Sequence, residues 1–262
     1  AEAKACFGND EMYLEKLVLE PRHIEFQILA DRQGHVIHLG DRDCSIQRRN
    51  QKLIEEAPAR CLTPALRAKM GDAAVRAAQA VHYEGAGTVE FLLDADGTHF
   101  YFMEMNTRIQ VENGVSARIS KVKGQGDVDI IAEQIRIGLG EPLGYTQEDI
   151  TFEGVGIEYR LIAEDPDNRF TPWVGRIDAF GWPSHPWLKM HTHVPTDESY
   201  EIPTEFDPNL ALAIIWGENL EQAKERGMQF LDELTLQGEN QSGELKSNVN
   251  FLRANTGRIL RF

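Results

Sequence analysis

Residues 87–105 read GTVEFLLDADGTHFYFMEM. Two alternating runs, Gly87 to Leu93 and His99 to Met105, flank the turn Asp94-Ala95-Asp96-Gly97. Alternation sends successive side chains to opposite faces of a strand, and an Asp-rich turn ending in glycine returns the chain antiparallel. With the turn centred near Gly97, Glu90 falls opposite Glu104. Like charges directly across a ladder repel. A hard cation between the two carboxylates makes sense of the pair, so this one hairpin predicts both an antiparallel sheet and a metal position.

The chain continues NTRIQVE to residue 112. Extended as one strand, Glu104, Asn106, Arg108, Gln110 and Glu112 share a face over ~26 Å at about 3.3 Å per residue. Met105, Ile109 and Val111 then point back into the protein. Magnesium takes oxygen ligands, commonly one or two carboxylates completed by water and nucleotide phosphate. Asn106 adds an amide oxygen, Arg108 and Gln110 offer anion donors, and Glu112 offers a base. The bland alternative is a solvent-facing strand of mixed charge, which most such strands are. The acid in register on the neighbouring strand, and the poor strand formers Asn and Gln, favour function.

Further elements follow from pattern. His23 to Asp31 and His35 to Leu39 form a hairpin around Gln33-Gly34. Thr63-Pro64 opens a helix over about 63–81. A second helix covers 128–139, and GEPLGYTQEDI (140–150) reads as a linker. Strands are expected near 156–163, 175–180, 189–194 and 210–216, with a helix opened by Asn219 and Gln222. The fold class is α+β, an antiparallel sheet with flanking helices, in two parts: 1–150 and 151–262.

The formal net charge of −15 opposes non-specific binding to nucleic acid or an anionic membrane. No apolar run approaches the ~18 residues that span a bilayer. The N-terminal stretch lacks an apolar signal-peptide core. Three scattered cysteines, Cys6, Cys44 and Cys61, read as reduced thiols of a cytoplasmic protein.

The charged stretch RDCSIQRRNQKLIEEAPA (42–59) reads on composition alone as a solvated segment with internal ion pairs. Together with EMNTRIQVE (104–112) it resembles the signatures of the biotin carboxylase family of ATP-grasp enzymes. AGTVEFL (86–92), EKLVLEPRHIEFQ (15–27) and EYRLIAEDP (158–166) match in the same order. The resemblance covers essentially the whole chain and weakens after about residue 170. It implies the C-terminal half of an ATP-grasp domain followed by a biotin carboxylase C-terminal domain.

The implied reaction is phosphorylation of bicarbonate by ATP to carboxyphosphate, then carboxyl transfer to N1 of biotin on a carrier protein or domain. By resemblance, Glu90, Glu104 and Asn106 hold Mg2+ or Mn2+. Arg108, Gln110 and Val111 bind bicarbonate, and Glu112 removes its proton. Arg160 stabilises deprotonated biotin, and Lys52 sits by the transferring phosphoryl group. Glu15, Lys16, Val18, His23 and Gln47 line the nucleotide site. Implied partners are the biotin carrier, a carboxyltransferase, the front part of the biotin carboxylase and a second copy.

Departures also stand in the sequence. The family's Rossmann-like front domain and glycine-rich lid are not in these residues, so the expectation is a fragment or split subunit, inactive alone. QVENGVSA replaces the family's QVEHPVTE, and Asn50 stands where a histidine is familiar. FDPNLALAI (206–214) lacks an expected lysine. Two alternatives remain open: another ATP-grasp ligase of the carbamoyl-phosphate synthase type, and a non-catalytic assembly module of a multienzyme carboxylase.

Overall fold

The computed structural model describes residues 2–260. A short helix α1 (Glu2–Phe7) leads into an exposed segment, 8–18, with no regular structure. The strands β1 (Arg22–Ala30), β2 (Val36–Arg48), β3 (Gln51–Ala57), β4 (Gly85–Leu93) and β5 (Phe100–Asn106) then follow. They join the later strands Val155–Ile162, Leu188–Thr192 and Asn209–Gly217 in one eight-stranded sheet. Its order is Leu188–Thr192, Asn209–Gly217, Val155–Ile162, β3, β2, β1, β4, β5, and every neighbouring pair is antiparallel.

Alternation along β1 divides the sheet into an apolar and a polar face. Ile24, Phe26 and Ile28 pack with Leu66, Met70, Ala74 and Ala78 of helix α2 (Pro64–Ala80). Thr63 caps α2 by accepting from the Leu66 N–H at 3.2 Å, as its Thr-Pro start predicts. Glu25 and Gln27, the residues between, turn to the other face and are equally buried. Helices α3 (Asn113–Ile119) and α4 (Ile130–Gly138) complete the first part of the chain.

A second core forms where Val155–Ile162 and Asn209–Gly217 meet α5 (Leu220–Glu233) and α6 (Val249–Thr256). A four-stranded sheet built on Arg176–Gly181 and Thr235–Asn240 adds to it. Gly227 on α5 is fitted to this core. A Cβ there would lie 2.3 Å from the hydroxyl of Tyr159, which bonds Thr256 at 2.8 Å. Helix propensity favours alanine over glycine by about 1 kcal/mol. Gly227→Ala nevertheless destabilises by about 1–3 kcal/mol through overpacking; a denaturant melt reads the sign.

Two expectations are corrected. Residues 42–59 are not a solvated charged segment: they form the inner half of β2 and all of β3, a hairpin turned by Arg49 and Asn50. Both turn residues have positive φ, 52° and 63°, as a tight two-residue turn requires. Charge composition concealed a strand pair whose acids point inward. Residues 140–150 are not a free linker. Leu143 is buried, its N–H bonds Asp31 at 3.0 Å, and Gln147 bonds both the N–H and the C=O of His38. The boundary near residue 150 does not interrupt the sheet, because β3 pairs with Val155–Ile162 across it.

Candidate active site

The polar face of the sheet carries a row of charges that runs across the strands. Glu104 pairs in register with Glu90, Glu90 with Glu25, and Glu25 with Arg42. Three acids and one guanidinium thus stand side by side on β5, β4, β1 and β2. The expected facing of Glu90 and Glu104 holds. Glu25 was not foreseen, although HIEFQ in β1 has the parity of TVEFL in β4, and that parallel was the signal.

The row expected along a single strand, from Glu104 to Glu112, does not form. β5 ends at Asn106, residues 107–112 leave the ladder, and Glu112 is the N-cap of α3. The orientations change accordingly. Gln110 and Glu112 are buried, whereas Val111, expected to point inward, is 46% exposed. Arg108 remains exposed at the rim. The physical reason is partnership: the turn lets Gln110 and Glu112 meet charges on the sheet that a straight strand would carry them past.

Arg42 is the floor of that arrangement. It is fully buried and spends every N–H. Nε and Nη2 donate to Glu25 at 3.1 and 3.0 Å; Nη1 donates to Gln27 and Ser116, and Nη2 also to Thr88 and Gln110. Gln110, oriented by Arg42 at 2.9 Å, donates in turn to Glu90 at 3.0 Å. Two cations grip Glu112: Lys52 Nζ at 2.8 Å and Arg160 Nη2 at 3.0 Å. Lys52 also pairs with Glu25.

Above this buried floor lies an open cleft of about 810 Å³. Of the residues singled out in the sequence, it gathers Glu90, Glu104, Asn106, Arg108, Gln110 and Val111. Glu112, Lys52, Arg160, His23 and Gln47 complete the group. His23 is fixed by Glu90 at 2.8 Å on one ring nitrogen and by Gln47 at 3.0 Å on the other. Glu15, Lys16 and Val18 do not join it. They lie in the irregular segment 8–18, with Lys16 3.4 Å from the Tyr101 hydroxyl and above its ring. That segment adds no strand to the sheet that would carry them to the cleft.

The residues fit a divalent cation. Glu90 accepts from Asn106 at 2.7 Å, Asn106 lines the cleft, and Glu104 is exposed beside them on the facing strand. The oxygen set is hard, as Mg2+ prefers. His23, Glu25 and Glu90 also bring ligand atoms within 4.8 Å of one another, but Lys52 and Arg42 already neutralise Glu25.

Burial and pairing set the protonation states. Burial opposes the charges of Glu25 and Glu112, yet Arg42 and Lys52 hold both below the usual carboxylate range. Burial likewise opposes charge on His23, and its bonds to Glu25 and Glu90 outweigh this, raising it to about 9. On the apolar face, burial next to Asp43 lifts Glu56 to about 7. An acid raised on folding stabilises the fold below its unfolded value, and that stability is lost as pH rises through the folded one. The contribution of Glu56 is therefore lost between the ordinary glutamate value and about 7, and Glu56→Gln flattens that fall; thermal melts from about pH 4 to 8 measure it.

Comparison with known proteins agrees with this geometry. A family model for the carbamoyl-phosphate synthase L chain ATP-binding domain matches residues 1–146, and one for the biotin carboxylase C-terminal domain matches 158–256. The chain is 54% identical to biotin carboxylase 1, chloroplastic, of Populus trichocarpa over 238 residues. The chain belongs to the biotin carboxylase family. The Populus match covers 91% of the chain and 43% of the relative. The biotin carboxylase of a Nostoc species is 52% identical, with 90% and 51% covered. The chain thus spans about half the length of the curated relatives it matches.

Solved structures give the same answer. The biotin carboxylase domain dimer of Hydrogenobacter thermophilus 2-oxoglutarate carboxylase, in complex with MgADP, ADP and bicarbonate, superposes with a TM-score of 0.87 at 41% identity. It covers 98% of this chain and 53% of that one. The biotin carboxylase of Campylobacter jejuni, solved as a β,γ-ATP complex, gives 0.87 at 39% identity, with 98% and 54% covered. Among the described residues, no helix is long and apolar enough to cross a membrane.

Proposed function

We propose that the chain provides the metal, bicarbonate and biotin-activating side of an ATP-dependent biotin carboxylase. One observation carries this reading: Glu112 is held between Lys52 and Arg160 in the cleft that contains Glu90 and Glu104. A base, two anion-binding cations and a divalent-metal pair are what bicarbonate phosphorylation needs within one groove. The biotin carboxylase C-terminal match, which includes Arg160, favours this over a carbamoyl-phosphate synthase activity.

In the proposed reaction the γ-phosphoryl group of ATP passes to a bicarbonate oxygen, giving carboxyphosphate and ADP. Glu112 takes the bicarbonate proton. Arg108, Gln110 and Val111 hold the anion, and Lys52 faces the transferring phosphoryl group. Carboxyphosphate then yields its carboxyl group to N1 of biotin and releases phosphate, with Arg160 beside the deprotonated ureido oxygen. Glu90, Glu104 and Asn106 would hold Mg2+ or Mn2+, which supplies charge neutralisation at the phosphates. His23 and Gln47, with Glu15, Lys16 and Val18 once their segment is docked, form the nucleotide side. The division at residue 150 then has a functional sense: 1–150 brings the metal and bicarbonate groups, and 151–262 brings Arg160. A biotin carrier, a carboxyltransferase and a second copy are the proposed partners. The three free thiols fit a reducing compartment such as the cytoplasm.

The test is phosphate release from MgATP by the full-length protein carrying this chain. Release that requires bicarbonate and rises with biotin is expected; release indifferent to both refutes the reading. The metal assignment has its own test. Glu90→Gln and Glu104→Gln are each expected to weaken Mn2+ binding beside ATP by at least the ~10–100-fold typical of lost supporting groups at metal sites. Manganese relaxation titration measures it.

A further inference from the structure

Beneath Arg160 the sheet buries two acids that the proposed chemistry leaves unused. Glu55 of β3 and Glu158 of Val155–Ile162 are partners across the antiparallel ladder, and both are fully buried. Glu55 Oε1 accepts from Arg160 Nε at 2.7 Å. Glu55 Oε2 and both oxygens of Glu158 have no hydrogen-bond partner among the described residues. Gly114 packs beside this pair: a Cβ there would meet Ile214 Cδ1 at 2.3 Å and touch Glu158 Oε2 at an ordinary 3.4 Å.

Two carboxyls on facing strands, out of water, cannot both ionise cheaply. The charged groups facing them are Arg160 on the strand of Glu158, Glu112 before α3, Arg42 on β2 and Glu25 on β1. Arg42 is committed to Glu25, and Arg160 is shared between Glu55 and Glu112. The guanidinium therefore balances an acid below it against the base above it.

We propose that Glu55 and Glu158 keep one proton between them, and that Glu55 is the positioning residue of Arg160. The single negative charge holds both Nε and Nη2 to the floor, and Nη2 also reaches Glu112 on the cleft side. Without that charge, the guanidinium collapses onto Glu112, occupying the base and withdrawing the anion donor together. Burial raises Glu55 to about 7 and Glu158 well above the usual range, which puts the retained proton on Glu158. The consequence for turnover rests on the biotin carboxylase reading; the shared proton rests on the buried geometry alone.

Two measurements test this. Infrared spectroscopy of the chain in H2O and D2O is expected to contain a protonated-carboxyl stretch near neutral pH that Glu158→Gln removes. No such band in a folded wild-type chain overturns the shared proton. In the full-length protein, Glu55→Gln keeps an acceptor but loses the charge. Biotin-dependent ATP cleavage is expected to fall about 10–100-fold, the scale of a lost charge-assisted bond, with KM for ATP unchanged. Its pH profile flattens on the acid side, because glutamine fixes the protonated form. Glu55→Asp retains the charge on a shorter arm and recovers part of the loss. A Glu55→Gln enzyme with wild-type kcat and an unmoved profile overturns the positioning role. A wild type without biotin-dependent cleavage refutes the functional reading, while the infrared result still decides the proton.

Discussion

Replacing Arg42 by methionine lowers the unfolding free energy of the chain by about 3–5 kcal/mol, the usual cost of removing one partner of a buried ion pair. Methionine fills much of the volume but supplies no donor. Glu25 Oε2 loses both its bonds, and Gln27, Thr88, Gln110 and Ser116 each lose one. Water cannot replace them at a position with no exposure. At roughly 2–4 °C per kcal/mol for a chain of this size, the melting temperature drops by about 6–20 °C. Arg42→Lys keeps the charge with fewer donors and loses less. Pairing Arg42→Met with Glu25→Gln recovers part of the loss, because it removes the charge behind the unpaired Oε2, although Lys52 still holds Oε1 in the single variant. A melting temperature unmoved by Arg42→Met would mean that the network contributes nothing to the fold.

Glu112→Gln is expected to reduce bicarbonate-dependent ATP cleavage by the full-length protein by about 10²–10⁴-fold, the range for loss of a general base. The shape is retained, so the effect is chemical. Its amide directs N–H groups at Lys52 or Arg160, which adds a modest stability cost that a thermal melt separates from the loss of turnover. Arg42, Lys52 and Arg160 hold Glu112 below the ordinary carboxylate range against its burial, so its carboxylate stays ionised across neutral pH. Any acid limb near pH 7 in the wild-type profile therefore belongs to another group, of which Glu55, raised by burial to about 7, is the candidate. A Glu112→Gln enzyme that turns over normally would leave the chain with a scaffolding role.

Legibility differed from one strand to the next. The hairpin of β4 and β5 was readable because its turn and its alternation agree, and Glu90 faces Glu104 as counted from Gly97. α2 was readable from Thr63-Pro64 and its periodic alanines. The hairpin of β2 and β3 was not, because charged residues in alternation look alike whether they face solvent or a buried network. Arg42 reads as a surface residue until β1 and β4 are laid beside it. The path from 107 to 112 was misread for a related reason. Polar alternation continues past Asn106, but the ladder does not: its last pair is Thr88 with Asn106, although β4 runs on to Gly85 against β1.

The amino-acid order alone determined the β4–β5 hairpin with its facing pair of acids, the start of α2 and, by resemblance, the family. Only the tertiary structure decided that the charges line up across four strands, that residue 112 turns back onto Lys52 and Arg160, and that Glu55 and Glu158 lie together out of water. The reason is physical. Local pattern records which face a side chain takes within its own strand. Register between distant strands decides which charges become neighbours, and the energy of a buried charge is set by those neighbours.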